Sequence, residues 1–127
     1  VSVKKVRSRA VGLASGSIHN IKPTLHSKNM PMAIIGHANV PSRRDYTAID
    51  VVGYTCMEHD VLFEKYSGPV VAGDYALFSN VGAYTIVMKP PFIRPAPPII
   101  TYNRSSGQFE TLKRREEFDD VFAAYTF

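Results

Sequence analysis

The segment GYTCMEHDVL, residues 53–62, sets the chain's one cysteine, Cys56, beside Glu58, His59 and Asp60. A thiol becomes a nucleophile or a proton carrier once a base can take its proton, and Cys56 with His59 three residues later is a candidate pair. Residues three apart on a strand point to opposite faces, so the two meet only if the strand gives way to a turn. The histidines His19, His26, His37 and His59 raise metal binding as a second chemistry. Cys56, His59 and Glu58 or Asp60 carry ligand atoms, yet a structural zinc site needs a second pair at short spacing. The sequence has none, so no metal is assigned. Read alone, Cys56 is also compatible with the commonest use of a lone cysteine, small buried filler.

Two further segments carry polar groups among small residues. In NVGAYTIVM, residues 80–88, Gly82 and Ala83 allow close backbone approach before Tyr84, whose hydroxyl is the one polar handle on an apolar run. A tight turn with a packed tyrosine fits the same residues. In ASGSIHNIKP, residues 14–23, small residues precede His19, Asn20 and Lys22, and the stretch reads as a loop.

These residues must be held by a single domain, since 127 residues supply one core of useful size. A hydrophobic fraction of 45% with 20% charged residues is that of a soluble globular chain, and no apolar run approaches the roughly 20 residues of a membrane helix. A lone cysteine cannot form an internal disulfide and the N-terminus lacks the pattern of a secretory signal, which points to the reducing cytoplasm. The formal charge of +4 sits largely at the ends. Lys4, Lys5, Arg7 and Arg9 alternate with Val and Ser, while Lys113, Arg114 and Arg115 are followed by Glu116, Glu117, Asp119 and Asp120. Both clusters read as solvated faces rather than a phosphate stripe. A start at Val1 without methionine suggests a processed or excised piece.

Short runs of Val, Ile, Tyr and Phe separated by Gly, Pro, Asn and Ser predict an all-β domain. The expected strands lie near residues 2–7, 10–15, 32–36, 47–54, 61–66, 74–79, 83–88, 98–103 and 108–112. Turn chemistry stands at Gly68-Pro69 and Gly73-Asp74, and RPAPP, residues 94–98, is a connector or barrel rim. SRRD, residues 42–45, is the most loop-like charged stretch and a candidate protease-sensitive site. Near the end the period changes. Phe118, Val121, Phe122 and Tyr125 make one stripe of a short helix with acidic residues at its start. The expected fold is therefore an all-β barrel or sandwich, Greek-key-like, closed by a short C-terminal α-helix.

Taken in order, GSIHNIKPTLH (16–26), VVGYTCMEHDVL (51–62), VAGDYALFSNVGAYT (71–85) and LKRREEFDDVF (112–122) resemble the C-terminal barrel domain of the alanine-racemase-like, fold-type-III pyridoxal phosphate decarboxylases. Members of that family act on ornithine, arginine, lysine or diaminopimelate. The matching elements are the loop after the strand that enters the barrel, the glycine-x-x-cysteine segment ending in Asp-Val-Leu, the Gly-Asp-aromatic strand leading to Gly-Ala-Tyr, and an Arg-Arg-Glu-rich final helix. The resemblance implies that residues 1–127 are the C-terminal β domain of a two-domain enzyme. The other domain, a (β/α)8 barrel bearing the lysine that forms the Schiff base with pyridoxal 5'-phosphate, is absent from this chain. It further implies a homodimer in which Cys56 reaches the partner's active site and helps deliver a proton after decarboxylation. Tyr84 is implied to contact the cofactor and its phosphate, and Asp60 to be an interface or loop-anchoring residue.

Substrate handles depart from the family. Where the basic-amino-acid enzymes place Asp or Glu after the cysteine to bind the distal amine, this chain has Met57, with Glu58 one place later. Where diaminopimelate enzymes carry Arg-Pro-Ala-Leu-Tyr, it has Lys22-Pro23-Thr24-Leu25-His26, keeping a charge but losing the guanidinium fork. Met57, Glu58, Lys22 and His26 are thus the candidate substrate-binding residues, and a modified or conjugated amino acid is the expected substrate. The expected function is that of a decarboxylase domain, inactive alone, partnered by its (β/α)8 domain and a second copy, with neither nucleic acid nor membrane as partner. Two alternatives are a small basic β-barrel stacking Tyr46, Tyr54, Tyr75, Phe78 and Tyr102 on single-stranded nucleic acid, and a non-catalytic dimerisation domain.

Overall fold

The computed structural model describes residues 3–6, 11–14, 16–21, 29–37, 42–82, 84–87 and 91–126. Among these, in chain order, are β1 (Val3–Val6), β2 (Val11–Ala14), α1 (Ile18–Ile21), β3 (Met32–Ile35), β4 (Arg44–Val52), β5 (Val61–Val70), β6 (Tyr75–Phe78), β7 (Ile99–Asn103), β8 (Gln108–Lys113) and α2 (Phe118–Phe122). They divide into two compact units, Val1–Lys89 and Pro90–Phe127.

In the first unit β1, β2, β4 and β5 form one sheet in that order, with β2 and β4 parallel and the other neighbours antiparallel. A second, two-stranded antiparallel sheet pairs β3 with β6. The core follows from which strand positions face inward. Along β4 these are Tyr46, Ile49 and Val51, a spacing that strict alternation forbids. The register slips between Tyr46 and Ile49, and Ala48 sits there at φ 53. This bulge inserts one residue and returns Ile49 to the side of Tyr46. One apolar cluster then holds Ile18, Val51 and Leu62, with Met32, Phe63, Phe78 and Val81 against it. Another holds Val3, Ile49 and Val70, with Ile34 and Tyr46. Tyr66 packs on both. Its hydroxyl donates to the Pro69 carbonyl at 3.0 Å, and burial, then the charges of Asp74 and Asp45, push its pKa up.

A buried carboxylate ties the turns of this unit together. Asp74 is fully buried and accepts hydrogen bonds from the His37 N–H (3.1 Å), the Val71 N–H (3.0 Å) and the Arg43 guanidinium (3.2 Å). Its own carbonyl accepts from the Val3 N–H at 2.7 Å, and the Gly73 N–H donates to Val3 at 2.8 Å, which pins β1 to the turn before β6. Burial pushes the Asp74 carboxyl up, but the Arg43 hydrogen bonds, the two backbone N–H groups and the Arg43 charge outweigh it, leaving the pKa lowered. Arg43 reaches Asp74 by crossing Gly36, where a Cβ would lie 1.7 Å from the guanidinium nitrogen.

The structure departs from the sequence expectations at several points. SRRD is no free loop, because Arg43 is bound to Asp74 and Arg44-Asp45 begin β4. The chain does not reverse at Gly68-Pro69. β5 runs through both, Gly68 at φ 142 opposite Tyr46, and Pro69 is tolerated because β5 is an edge strand of its sheet. The reversal expected at Gly73-Asp74 is present, with its turn at Ala72–Gly73, and β6 enters at Tyr75 as expected. Residues 84–87 are turn, not strand, while residues 83 and 88 of that expected strand lie outside the described residues. Residues 18–21, read as loop, form α1. The strand-rich fold with a short C-terminal helix stands, and the described strands form one four-stranded sheet and two two-stranded sheets rather than a closed barrel.

The second unit is a hairpin and a capped helix. β7 and β8 pair antiparallel across a loop in which Asn103 Oδ1 accepts from the Ser105 and Ser106 N–H groups and Gly107 takes φ 68. The proline-rich stretch before β7 is a connector, as expected, and Glu116 holds it: its carboxylate accepts from the Ala96 N–H at 2.9 Å. α2 starts where Asp120 accepts from the Glu117 N–H at 2.9 Å. Arg114 grips the same carboxylate through both oxygens at 2.6 and 2.7 Å. The Arg114 hydrogen bonds, with the Glu117 N–H, lower the Asp120 pKa to about 2. Phe118, Phe122 and Tyr125 stack along the predicted stripe, with ring centroids 4.4 and 5.7 Å apart.

Candidate functional site

Gly53–Asp60 is the loop from β4 to β5, and its shape comes from one side chain. Asp60 is 2% exposed, and its carboxylate takes four hydrogen bonds: from the Ser17 hydroxyl at 3.1 Å, the Ile18 N–H at 2.6 Å, the Thr55 N–H at 3.0 Å and the Thr55 hydroxyl at 2.6 Å. Every oxygen lone-pair direction is thereby used. The Asp60 backbone closes the loop as well, its carbonyl accepting from the Gly53 N–H at 2.7 Å and its N–H donating to Met57 at 3.0 Å. Gly53 is required by close approach, because a Cβ there would lie 2.1 Å from the Asp60 carboxylate.

The same carboxylate starts α1. Ser17 is buried at the head of that short helix, its hydroxyl accepting from the His19 N–H at 3.4 Å while donating to Asp60. The Tyr54 N–H donates to the Gly16 carbonyl at 3.1 Å, so loop and helix are stitched at both backbone and side chain. Ile18 drops into the cluster with Val51 and Leu62, the residue two beyond Asp60. His19 then lies across the loop, its Nε2 3.2 Å from Met57 Sδ.

On this frame Cys56 is exposed, as are Glu58 and His59, while Met57 is half-buried. The strand does break into a turn between Cys56 and His59, as their pairing would demand. Among the described residues no group of three or more His, Cys, Asp and Glu side chains is placed to hold a metal ion. Tyr84 opens the turn at residues 84–87 with φ 63 and is 62% exposed. The Thr85 hydroxyl donates to the Val81 carbonyl, and Val81 packs on the cluster that seats Ile18 and Leu62. The thiol loop, α1 and the tyrosine turn therefore share one footing. Lys22 follows α1 directly, but Lys22 and His26 lie outside the described residues.

Sequence reasoning missed Ser17 and Thr55, the partners of Asp60, and left His19 in a loop. A serine heading an apolar, histidine-bearing turn was the available signal for the first. Of the aromatic residues considered for stacking on nucleic acid, Tyr46 and Phe78 pack on the core and Tyr54 is half-buried, while Tyr75 and Tyr102 are exposed in different units. No helix among the described residues is long and apolar enough to cross a membrane.

Comparison with known proteins places this fold. A crystal structure of diaminopimelate decarboxylase from Helicobacter pylori complexed with L-lysine superposes with a TM-score of 0.80 at 20% identity, covering 97% of this chain and 30% of that one. The diaminopimelate decarboxylase of M. jannaschii in co-complex with L-lysine gives 0.76 at 19% identity over 99% of this chain and 29% of that one. In sequence, the L-glutamyl-[BtrI acyl-carrier protein] decarboxylase of Niallia circulans is 26% identical over 113 residues, 85% of this chain and 26% of the relative. The chain thus spans between a quarter and a third of the length of these proteins. Residues 1–82, which hold the whole Asp60 network and Cys56, match the family described as pyridoxal-dependent decarboxylase, C-terminal sheet domain, and the chain belongs to that family.

Proposed function

We propose that this chain is the C-terminal domain of a pyridoxal phosphate-dependent amino-acid decarboxylase and that it lends Cys56 and Tyr84 to an active site completed by a (β/α)8 domain and a second copy. The observation that carries the reading is the exposed Cys56 thiol on a loop locked by the four donors to Asp60, inside the segment matched by the family. A proton donor must be reachable by substrate yet held still, and this loop provides both conditions. Tyr84 suits a cofactor contact, since its ring and hydroxyl are open to solvent on a fixed turn. When bound, pyridoxal phosphate draws electrons from the α-carbon and stabilises the charge left as carbon dioxide departs. Cys56 Sγ holds the proton that the α-carbon then receives.

The substrate class follows from Met57 and from the curated relative, which by name acts on a glutamyl group carried by an acyl-carrier protein. Both favour a conjugated or modified amino acid over a free diamino acid. In the full-length protein, carbon dioxide release should be measured across free and conjugated amino acids. Cys56→Ala should lower kcat by roughly 100-fold or more with little change in KM, the scale of a lost general acid. No carbon dioxide from any substrate would end the decarboxylase reading, whereas unchanged turnover in Cys56→Ala would remove only the thiol.

A further inference from the structure

The contact between His19 and Met57 joins α1 to the position after the thiol. Met57 and His19 are each half-buried, neither sealed in the core nor fully exposed. In the Nε2–H tautomer, the imidazole points its N–H at Met57 Sδ, 3.2 Å away. A thioether is a weak acceptor, so a carbonyl or carboxylate oxygen brought to the same place takes the hydrogen bond in preference. Asp60 cannot accept a hydrogen bond from a substrate's side arm, because its carboxylate is buried and its acceptor positions are taken by four donors. Glu58 is exposed and, among the described residues of the loop, is the competing anion.

We propose that His19, seated on Met57, determines specificity for the side arm of the substrate, giving its N–H to an oxygen acceptor and making the arm a carbonyl or carboxylate rather than an ammonium. The assignment rests on the decarboxylase reading, which places residue 57 beside the arm. His19 is rigidly presented, its backbone N–H held by Ser17 and its helix anchored through Ile18 to Asp60. That lowers the ordering cost of a directional hydrogen bond.

The test uses the full-length holoenzyme and two product-like amines of matched length, γ-aminobutyramide with an acceptor arm and putrescine with an ammonium arm. Equilibrium binding by calorimetry reads the arm without turnover. The wild type should bind γ-aminobutyramide more tightly. His19→Ala should weaken that amide roughly three- to tenfold, the scale of one neutral hydrogen bond, and leave putrescine within about twofold. His19→Gln, which keeps an N–H donor, should retain most of the preference, and Met57→Asp should turn it toward putrescine. Tighter putrescine binding by the wild type, lost in Glu58→Gln, would overturn the assignment and give the arm to Glu58. Carbon dioxide release from a diamino acid alongside that result would leave the decarboxylase reading standing while His19 falls. Absence of both binding and carbon dioxide release with every amino acid would overturn the two together.

Discussion

Gly53→Ala is the sharpest probe of how the thiol loop is held. The new methyl would begin 2.1 Å from one Asp60 carboxylate oxygen and 2.3 Å from its carbon, against a floor near 3.0 Å for real contacts. Relief demands a shift of about 1 Å, enough to stretch hydrogen bonds beyond their useful range of roughly 3.2 Å. The Ile18 N–H and Thr55 hydroxyl bonds, both 2.6 Å now, are the tightest to be lost. Hydrogen bonds to a charged group contribute about 1.5–3 kcal/mol each. Two of them, less partial relaxation and the alanine's smaller unfolded-state entropy, put the local cost at about 2–4 kcal/mol. Since about 1.4 kcal/mol is tenfold in an equilibrium, amide exchange in this region should quicken by roughly 30- to 1,000-fold. Hydrogen–deuterium exchange of the full-length protein reads this on peptides covering residues 16–19 and 53–57. Peptides bearing His37 and Val71, whose amides bond Asp74 instead, serve as the internal control. Exchange changed by less than about threefold at Ile18 and Thr55 would refute the claim that the Asp60 carboxylate fixes the loop.

Other outcomes follow from the remaining charged groups. The Asp74 carboxyl titrates lower folded than its ordinary 3.8, so its stabilisation is complete above that value and is lost as pH falls through the lowered one. Asp74→Asn should therefore flatten the acid limb of stability below about pH 5, measured by urea midpoints at each pH, and an unchanged slope would contradict it. Arg43→Met leaves Asp74 buried against fewer donors and should cost about 2–4 kcal/mol by chemical denaturation. Asp120 should titrate near its lowered value of about 2 by carboxyl NMR, move toward 3.8 in Arg114→Gln, and drift the same way with added salt because the pair is solvent-exposed.

Much of the architecture was legible because it is written in alternation and punctuation. β3 lies between Pro31 and Gly36, β7 begins after Pro98 and ends at Asn103, β8 begins after Gly107, and the Phe118 stripe announced α2. What escaped were features decided by tertiary partners. The bulge at Ala48 exists because Tyr46 and Ile49 must share a core, which no local pattern states. Gly68-Pro69 carries a turn signature but sits in an edge strand, where a missing donor does no harm. α1 is four residues long, too short for a period to register, and it forms because Asp60, 42 residues away, accepts the Ile18 N–H.

The site shows the same division more plainly. Cys56 could be noticed in sequence, but local reasoning weighed it against His59, its neighbour along the chain. The structure ties the loop elsewhere, to Ser17 and Ile18, so the relevant environment of the thiol is built by a helix far off in sequence. Asp60 illustrates why residue type alone misleads: a carboxylate near a thiol suggests acid–base work, yet all its acceptor capacity is spent on positioning. Once Asp60 is removed from the chemistry, the loop's polarity at its working edge reduces to Cys56, Glu58, His59 and the His19–Met57 contact. On the proposed reading, substrate choice would be a contest between the exposed Glu58 carboxylate and the imidazole seated on Met57, decided by the sign of the arm's charge.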